Sequence, residues 1–444
     1  MNINLEKNEN NNNQILNNSV KVNKEIDNND FILEDDKTKK EKEKENQLLL
    51  EKETKNLILS SIFFQKYKPT NLIGQGSFSY IYESQNIITG EKVAIKLEEK
   101  RKNEPELLKT EACYLYLLRN EPGIVKIISF GVSKKFNVLV EPLLGKNLYA
   151  LFLANDKYFT LKDICLIAIQ CINRLESVHS KGIIHCDIKP ENFVIGSKDK
   201  RLIYLLDFGL SKKYRSDRTK NHIQFSITKT MTGTARYASI NALSGLQLSR
   251  RDDLESLSYI ILYFLTKRLP WQGIEAKTLA KRYKKIYNKK IELEKWEKFS
   301  QIPIEIQDFI KYCRSLKFTQ EPNYKKMRNY FYDLMKRQNI ENDGNFSWIV
   351  DKSIIGSKLP TEFQRQKYSS IFSFYAKLSK STICFNKNKF EKKKEIKRDN
   401  SPIINTKRLN LNNINNINEN SNENEEDSNW MKGKYNDELE KSNQ

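Results

Sequence analysis

The chain has 444 residues, with 77 Lys and Arg against 56 Asp and Glu, giving a formal net charge of +21 and a pI near 9.4. At 38% hydrophobic and 30% charged, it can bury a core, yet it is lean enough that part of it is expected to stay unfolded. The longest apolar or aromatic run, Tyr259 to Leu265, falls far short of the ~20 residues that span a bilayer, and the opening MNINLEKNEN lacks the apolar stretch of a secretory signal. Cysteines 113, 165, 171, 186, 313 and 384 are scattered without a C-x-x-C pair. That argues against a disulfide scaffold or structural zinc and for a reducing compartment. A cytoplasmic protein that does not insert in membranes is expected.

Residues 1–62 are dominated by Asn, Lys, Glu and Asp, a composition too poor in apolar surface to offset backbone entropy, so a disordered tail is expected. Within it, Lys37 to Lys55 carries Glu and Lys at helical spacings, and a charged helix is the alternative. The texture changes over 63–350, the expected folded domain. Tyr67 to Val93 alternates β-branched or aromatic residues with glycine turns, as hairpin strands do. From about Leu107, longer segments show helical periodicity, among them Leu161 to His179 and Leu254 to Leu265. This predicts an α+β architecture of two lobes, a β-rich one over about 63–142 and a helical one over about 143–350. No repeat at a period of 20–50 residues is evident. Residues 351–385 form an extension of undetermined order, and 386–444 return to tail composition. In that tail the basic cluster Lys387 to Arg398 is either a solvated linker or a nuclear-entry signal.

Several motifs carry chemistry. G-Q-G-S-F-S at 74–79 places Gly74, Gln75, Gly76 and Ser77 in a turn where backbone can lie close to phosphate oxygens. A plain glycine hairpin reads the same way. Val93-Ala94-Ile95-Lys96 follows, with Lys96 able to neutralise nucleotide phosphates, and Glu111 lies fifteen residues on in a helical stretch, placed either to pair with Lys96 or to sit in a solvated salt bridge. Then come His185-Cys186-Asp187-Ile188-Lys189-Pro190-Glu191-Asn192 and Asp207-Phe208-Gly209. Phosphoryl transfer requires a carboxylate beside the attacking hydroxyl, oxygen ligands for magnesium, and positive charge over the transferred group. Asp187 supplies the first, Asn192 and Asp207 the second, Lys96 and Lys189 the third.

These motifs, in this order, resemble the protein kinase pattern. The run Thr232-Gly233-Thr234-Ala235-Arg236-Tyr237-Ala238-Ser239-Ile240-Asn241 resembles the casein kinase I family, which carries S-I-N where most protein kinases carry A-P-E. S-R-R-D-D-L-E-S-L at 249–257, L-P-W-Q-G at 269–273 and C-R-S-L at 313–316 agree with it. The resemblance covers about Tyr67 to Trp348. It implies the two-lobed kinase fold, ATP and Mg2+ as cofactors, Ser or Thr acceptors (Lys189 favouring these over Tyr), and a preference for acidic or pre-phosphorylated protein substrates. A monomer is expected, with no specific nucleic-acid partner. By the same resemblance, Arg236, the backbone amide of Gly273 and Lys284 form an anion pocket for the substrate. Lys277 to Lys290 carries seven basic residues and no acidic one, which otherwise reads as a solvated helix face. Asp253 aligns with the aspartate that braces the catalytic loop, and Arg250, Arg251 and Arg314 read as structural.

The chain departs from the pattern at two places. Cys186 replaces the arginine of H-R-D, which argues against switching through a phosphorylated activation loop; its thiol is either reactive or simply packed. Glu141 falls where the family has an apolar residue behind the adenine. A buried carboxylate there needs a partner or a proton, and Lys96 is the obvious partner. Pro142 lacks an N–H, but adenine needs only its carbonyl and the amide of Leu144. Ile81, Ala94, Val194 and Leu206 would line the base pocket, or be plain core. Two functions stay open: an active serine/threonine kinase, and a pseudokinase that binds nucleotide and docks phosphoproteins. A small-molecule phosphotransferase lacks support.

Overall fold

A computed structural model describes residues 42, 45–76, 79–102, 104–228 and 230–349, with the backbone of 403, 404, 407 and 408. Residues 45–60 form helix α1, inside the stretch expected to be a disordered tail. That expectation is corrected. Ile58 is fully buried and Thr54 nearly so, with Leu57 packed beside them. The abundant Glu and Lys masked these few apolar anchors, which are what dock the helix. The Glu51 carboxylate accepts from Lys55 Nζ at 2.8 Å and from Gln75 Nε2 at 2.7 Å, tying α1 to the glycine turn.

The N-terminal lobe is a curled sheet. Its strands are β1 (Ile62–Phe63), β2 (Tyr67–Gln75), β3 (Ser79–Asn86), β4 (Lys92–Glu99), β5 (Ser129–Val132) and β6 (Phe136–Pro142), with α2 (Leu107–Leu117) after β4. Alternation decides its two faces. On β4, Val93, Ile95 and Leu97 are buried among Tyr67, Tyr82, Phe136, Val138, Val140 and Ile58. Ala94 and Lys96 therefore take the opposite face, toward the cleft. Register carries this across the sheet: Ile81, Lys96 and Leu139 form one row, and Glu83, Ala94 and Glu141 the next.

Four backbone positions in the expected tail 386–444 also correct the sequence reading. β11 (Ile403–Ile404) pairs parallel with β1 and β12 (Lys407–Arg408) antiparallel with β5, so the sheet runs β11-β1-β2-β3-β4-β6-β5-β12. Both sheet edges thereby gain partners for their unpaired N–H and C=O groups. The extension 351–385 and the basic cluster 387–398 lie outside the described residues.

The second lobe is helical. It contains α3 (Leu148–Ala154), α4 (Leu161–Ser180), α5 (Ile240–Leu243), α6 (Arg250–Thr266), α7 (Leu279–Ile291), α8 (Ile304–Ser315) and α9 (Tyr324–Arg337). The short pairs β7 (Ile183–Ile184) with β10 (Lys212–Lys213), and β8 (Phe193–Ile195) with β9 (Ile203–Leu205), flank the segments 185–192 and 206–211. α4 starts at a capping box, Thr160 with Asp163, which satisfies two end donors reciprocally. At the start of α6 the Asp252 carboxylate accepts the Ser249 N–H at 2.7 Å. The α6 stretch Tyr259 to Phe264, most of the apolar run that ends at Leu265, is buried throughout. Among the described residues no helix is long and apolar enough to cross a membrane, and Cys113, Cys165, Cys171, Cys186 and Cys313 are all free thiols.

Candidate active site

The catalytic segment hangs from one buried carboxylate. Asp253, near the start of α6, accepts the N–H of His185 at 2.7 Å and that of Cys186 at 2.9 Å. It also meets His179 Nε2 at 2.9 Å. These contacts hold the Asp253 pKa below its ordinary value although burial opposes them. They fix Cys186 at a φ of 70°, a left-handed conformation that costs a non-glycine residue on the order of 1–3 kcal/mol. Cys186 itself is buried, and burial pushes its thiol well above the ordinary range. A packed residue, not a reactive thiolate, occupies the arginine position.

Asp187 follows. Its Oδ1 accepts from the Thr234 N–H at 2.9 Å and from the Thr234 hydroxyl at 2.8 Å, while Lys189 Nζ donates to its Oδ2. Asn192 Nδ2 donates to the Asp187 carbonyl at 2.9 Å. Gly233 makes the approach of Thr234 possible. It has a φ of 87°, and a Cβ there would stand 2.6 Å from the Cys186 carbonyl oxygen.

Asp207 closes the other side. It sits at φ 68°, ψ 68°, with Phe208 fully buried and edge-on to the His185 ring, centroids 5.0 Å apart. His185 Nε2 lies 2.9 Å from the Leu206 carbonyl oxygen. Lys96 Nζ then reaches across the cleft, donating to Glu111 Oε2 at 2.6 Å and to Asp207 Oδ1 at 2.8 Å. Burial alone would lower the Lys96 pKa, but the two carboxylates outweigh it and hold it above its ordinary value. In return the ammonium holds Asp207 down at about 2, whereas burial leaves Glu111 raised.

Of the two alternatives the sequence left for Glu141, a partner in Lys96 or a proton, the first is not what the contacts show. Glu111 and Asp207 take the ammonium, and Glu141 keeps its proton instead. Burial, reinforced by the negative charge of Glu111, pushes the Glu141 pKa up to about 8. A neutral carboxyl behind the base position is compatible with an intact Lys96–Glu111 pair.

The base-pocket residues divide between the lobes. Ile81 and Ala94 lie on the cleft face of the sheet. Val194, on β8, is buried, and Leu206, just after β9, is half-buried. Pro142 is exposed and Leu144 half-buried in the segment joining the lobes. Gly74 faces Ile81 across β2 and β3, and the Gly76 N–H donates to the Ser79 carbonyl at 2.8 Å, closing the turn; Gln75 ends β2, and Ser77 lies outside the described residues. The Asn192 amide oxygen and Asp207 carboxylate are hard oxygen donors, the type Mg2+ takes. Among the described residues, no group of three or more His, Cys, Asp or Glu gathers to hold a metal independently.

The anion-pocket residues are placed less tightly. Arg236 is half-buried; its carbonyl accepts from Trp271 Nε1 at 2.7 Å, and its guanidinium carbon lies 5.9 Å from the Tyr237 ring centroid. Gly273 has a φ of 83°. Lys284 lies on the exposed side of α7, its ammonium 5.1 Å from the Tyr287 ring. One member of the basic run departs from the solvated face altogether: Lys290 is fully buried. Its signal was the i,i+4 spacing from Ile286, the other buried residue of α7, obscured by the charges around it. Arg250 donates to the Thr319 carbonyl at 3.0 Å, and Arg251 and Arg314 lie beside Asp252 and Glu294.

A family model for the protein kinase domain matches residues 67–332, more than half of the chain. The match spans the glycine turn, Lys96, Glu111, the 185–192 segment and Asp207, and the chain belongs to the protein kinase family.

Proposed function

We propose that this kinase transfers the γ-phosphate of ATP to Ser or Thr of acidic or pre-phosphorylated proteins, in the manner of the casein kinase I family. The observation that carries the reading is Lys96 held by Glu111 and Asp207 together, the arrangement an active phosphotransferase cleft needs. ATP with Mg2+ supplies the activated phosphoryl group and its charge neutralisation. The chain supplies the rest. Lys96 steadies the phosphates, Asn192 and Asp207 offer oxygen ligands, and the turn at 74–77 covers the nucleotide. Glu111 keeps Lys96 from being drawn wholly to Asp207.

Asp187 accepts the hydrogen of the incoming hydroxyl, in a position fixed by Thr234 and Lys189. Lys189 then stands beside the transferred group. Base binding through the Pro142 carbonyl and the Leu144 amide proceeds with Glu141 neutral. Arg236, the Gly273 amide and Lys284 are read as recognising an acidic or phosphorylated group on the substrate. The contacts of Lys96 with Glu111 and Asp207 support transfer over the competing reading, a nucleotide-binding scaffold without it.

A peptide array offering Ser, Thr and Tyr acceptors, with and without phosphoserine three residues upstream, tests the reading. Labelling of Ser and Thr peptides, strongest when primed, is expected. Labelling confined to Tyr, or indifferent to acidic and phosphorylated neighbours, would contradict it.

A further inference from the structure

Lys290 has no solvent exposure at all. A buried lysine costs several kcal/mol unless its donors are satisfied, so its surroundings must account for it. Its Nζ donates to the Ala235 carbonyl at 3.0 Å and to the Ala238 carbonyl. It lies 4.7 Å from the Tyr259 ring centroid and 4.9 Å from that of Trp271. Burial draws its pKa down to about 7, against the pull of the Glu255 carboxyl.

The same stretch of backbone is gripped from several other directions. Trp271 Nε1 donates to the Arg236 carbonyl at 2.7 Å. Glu255 accepts the Ile240 N–H at 2.9 Å and the Tyr259 hydroxyl at 2.6 Å. Asp252 accepts from the Ser239 hydroxyl at 2.7 Å and the Asn241 amide at 3.1 Å. The backbone on both sides of Arg236 is thus tied to α6, α7 and Trp271, while the arginine side chain stays half-buried at the surface.

We propose that Lys290 is a positioning residue for substrate recognition: by holding the Ala235 and Ala238 carbonyls, with Trp271 on the Arg236 carbonyl, it sets how Arg236 presents its guanidinium to an anionic substrate group. This rests on the reading of Arg236 as a substrate-anion site. Lys290 does not touch substrate. It acts through Arg236, so its removal changes which substrates bind and leaves the transfer step alone.

The test uses the full chain and one serine peptide in two forms, with phosphoserine or serine three residues upstream. Lys290→Met raises KM for the primed peptide about tenfold, with kcat and KM for ATP held within about twofold. Arg236→Ala does the same, and the double variant is no worse than either alone, as two residues acting through one contact require. Trp271→Phe, a milder change that removes only the indole N–H, shifts the same KM in the same direction and carries the test if Lys290→Met fails to fold. Additive losses in the double variant, an equal fall of kcat on both peptides, or an unchanged primed KM in Trp271→Phe would overturn the proposal. If the wild type ignores priming and Arg236→Ala is silent, the substrate reading falls, and the role of Lys290 with it. If priming and Arg236 matter but Lys290→Met and Trp271→Phe are silent, only the positioning role falls.

Discussion

Gly233 presses against Cys186: a Cβ on the glycine would stand 2.6 Å from the cysteine carbonyl oxygen. The contact joins the activation segment to the catalytic loop, because Cys186 precedes Asp187 and Gly233 precedes Thr234, which hydrogen-bonds Asp187. Both residues sit at positive φ, and the two hydrogen bonds from neighbouring N–H groups to Asp253 keep Cys186 there. Asp187 is thus oriented by strained backbone at Cys186 on one side and by the close approach of Gly233 and Thr234 on the other.

Gly233→Ala should therefore disable the enzyme without dissolving the fold. The added methyl meets backbone, which cannot rotate away, and the φ is unfavourable for alanine, so a cost of about 1–3 kcal/mol is expected. Relief requires moving Thr234 off Asp187. A fall in kcat of about 10²-fold, with KM for ATP little changed, is the expected result in steady-state assays, from lost orientation of the aspartate. Unaltered kcat would show that the Thr234 contact is dispensable.

Glu141 predicts an alkaline limb. Its charged neighbours are Lys96, Glu111 and Asp207, and with a pKa of about 8 it is neutral through pH 7. Above pH 8 it ionises beside two carboxylates and competes for Lys96. Activity should decline through that pH in the wild type and hold in Glu141→Gln. The stability sign follows by linkage: the folded chain binds this proton more tightly than the unfolded chain. Stability should thus fall as pH rises from the ordinary glutamate range to about 8. Glu141→Gln should flatten that slope in thermal melts, and an identical slope in both proteins would count against the assignment.

Helix α1 predicts that the N-terminal segment is part of the folded lobe. Ile58→Ala empties a fully buried site and should cost about 2–4 kcal/mol. Removing residues 1–60 should lower the melting temperature more than removing 1–41. Chemical denaturation of the two truncations and the point variant checks this, and equal stability of all three would mean the helix contributes nothing.

Much of the site was legible because its chemistry demands particular side chains at particular places in the chain order. Lys96, Glu111, Asp187, Asn192 and Asp207 declared themselves that way, and the alternation of β4 assigned Lys96 to the cleft. What was hidden depends on distance in space. Glu141 looked destined for Lys96, but the Lys96 ammonium donates to Glu111 and Asp207. Lys290 read as one more solvated charge, since only the tertiary fold brings the Ala235 and Ala238 carbonyls to it. Ile58 was concealed by the polar residues around it, and the pairing of β11 and β12 with opposite sheet edges has no local sequence signature at all.

The most direct test of phosphoryl transfer by this cleft is label transfer from radiolabelled ATP to an acidic protein substrate, comparing wild type with Asp207→Ala. Asp207 is both a partner of Lys96 and an oxygen donor for the metal. The wild type should transfer label only when magnesium is present, and the variant should lose at least about 10²–10³-fold in rate. Wild-type transfer that is absent, or that persists undiminished in Asp207→Ala, would contradict the account.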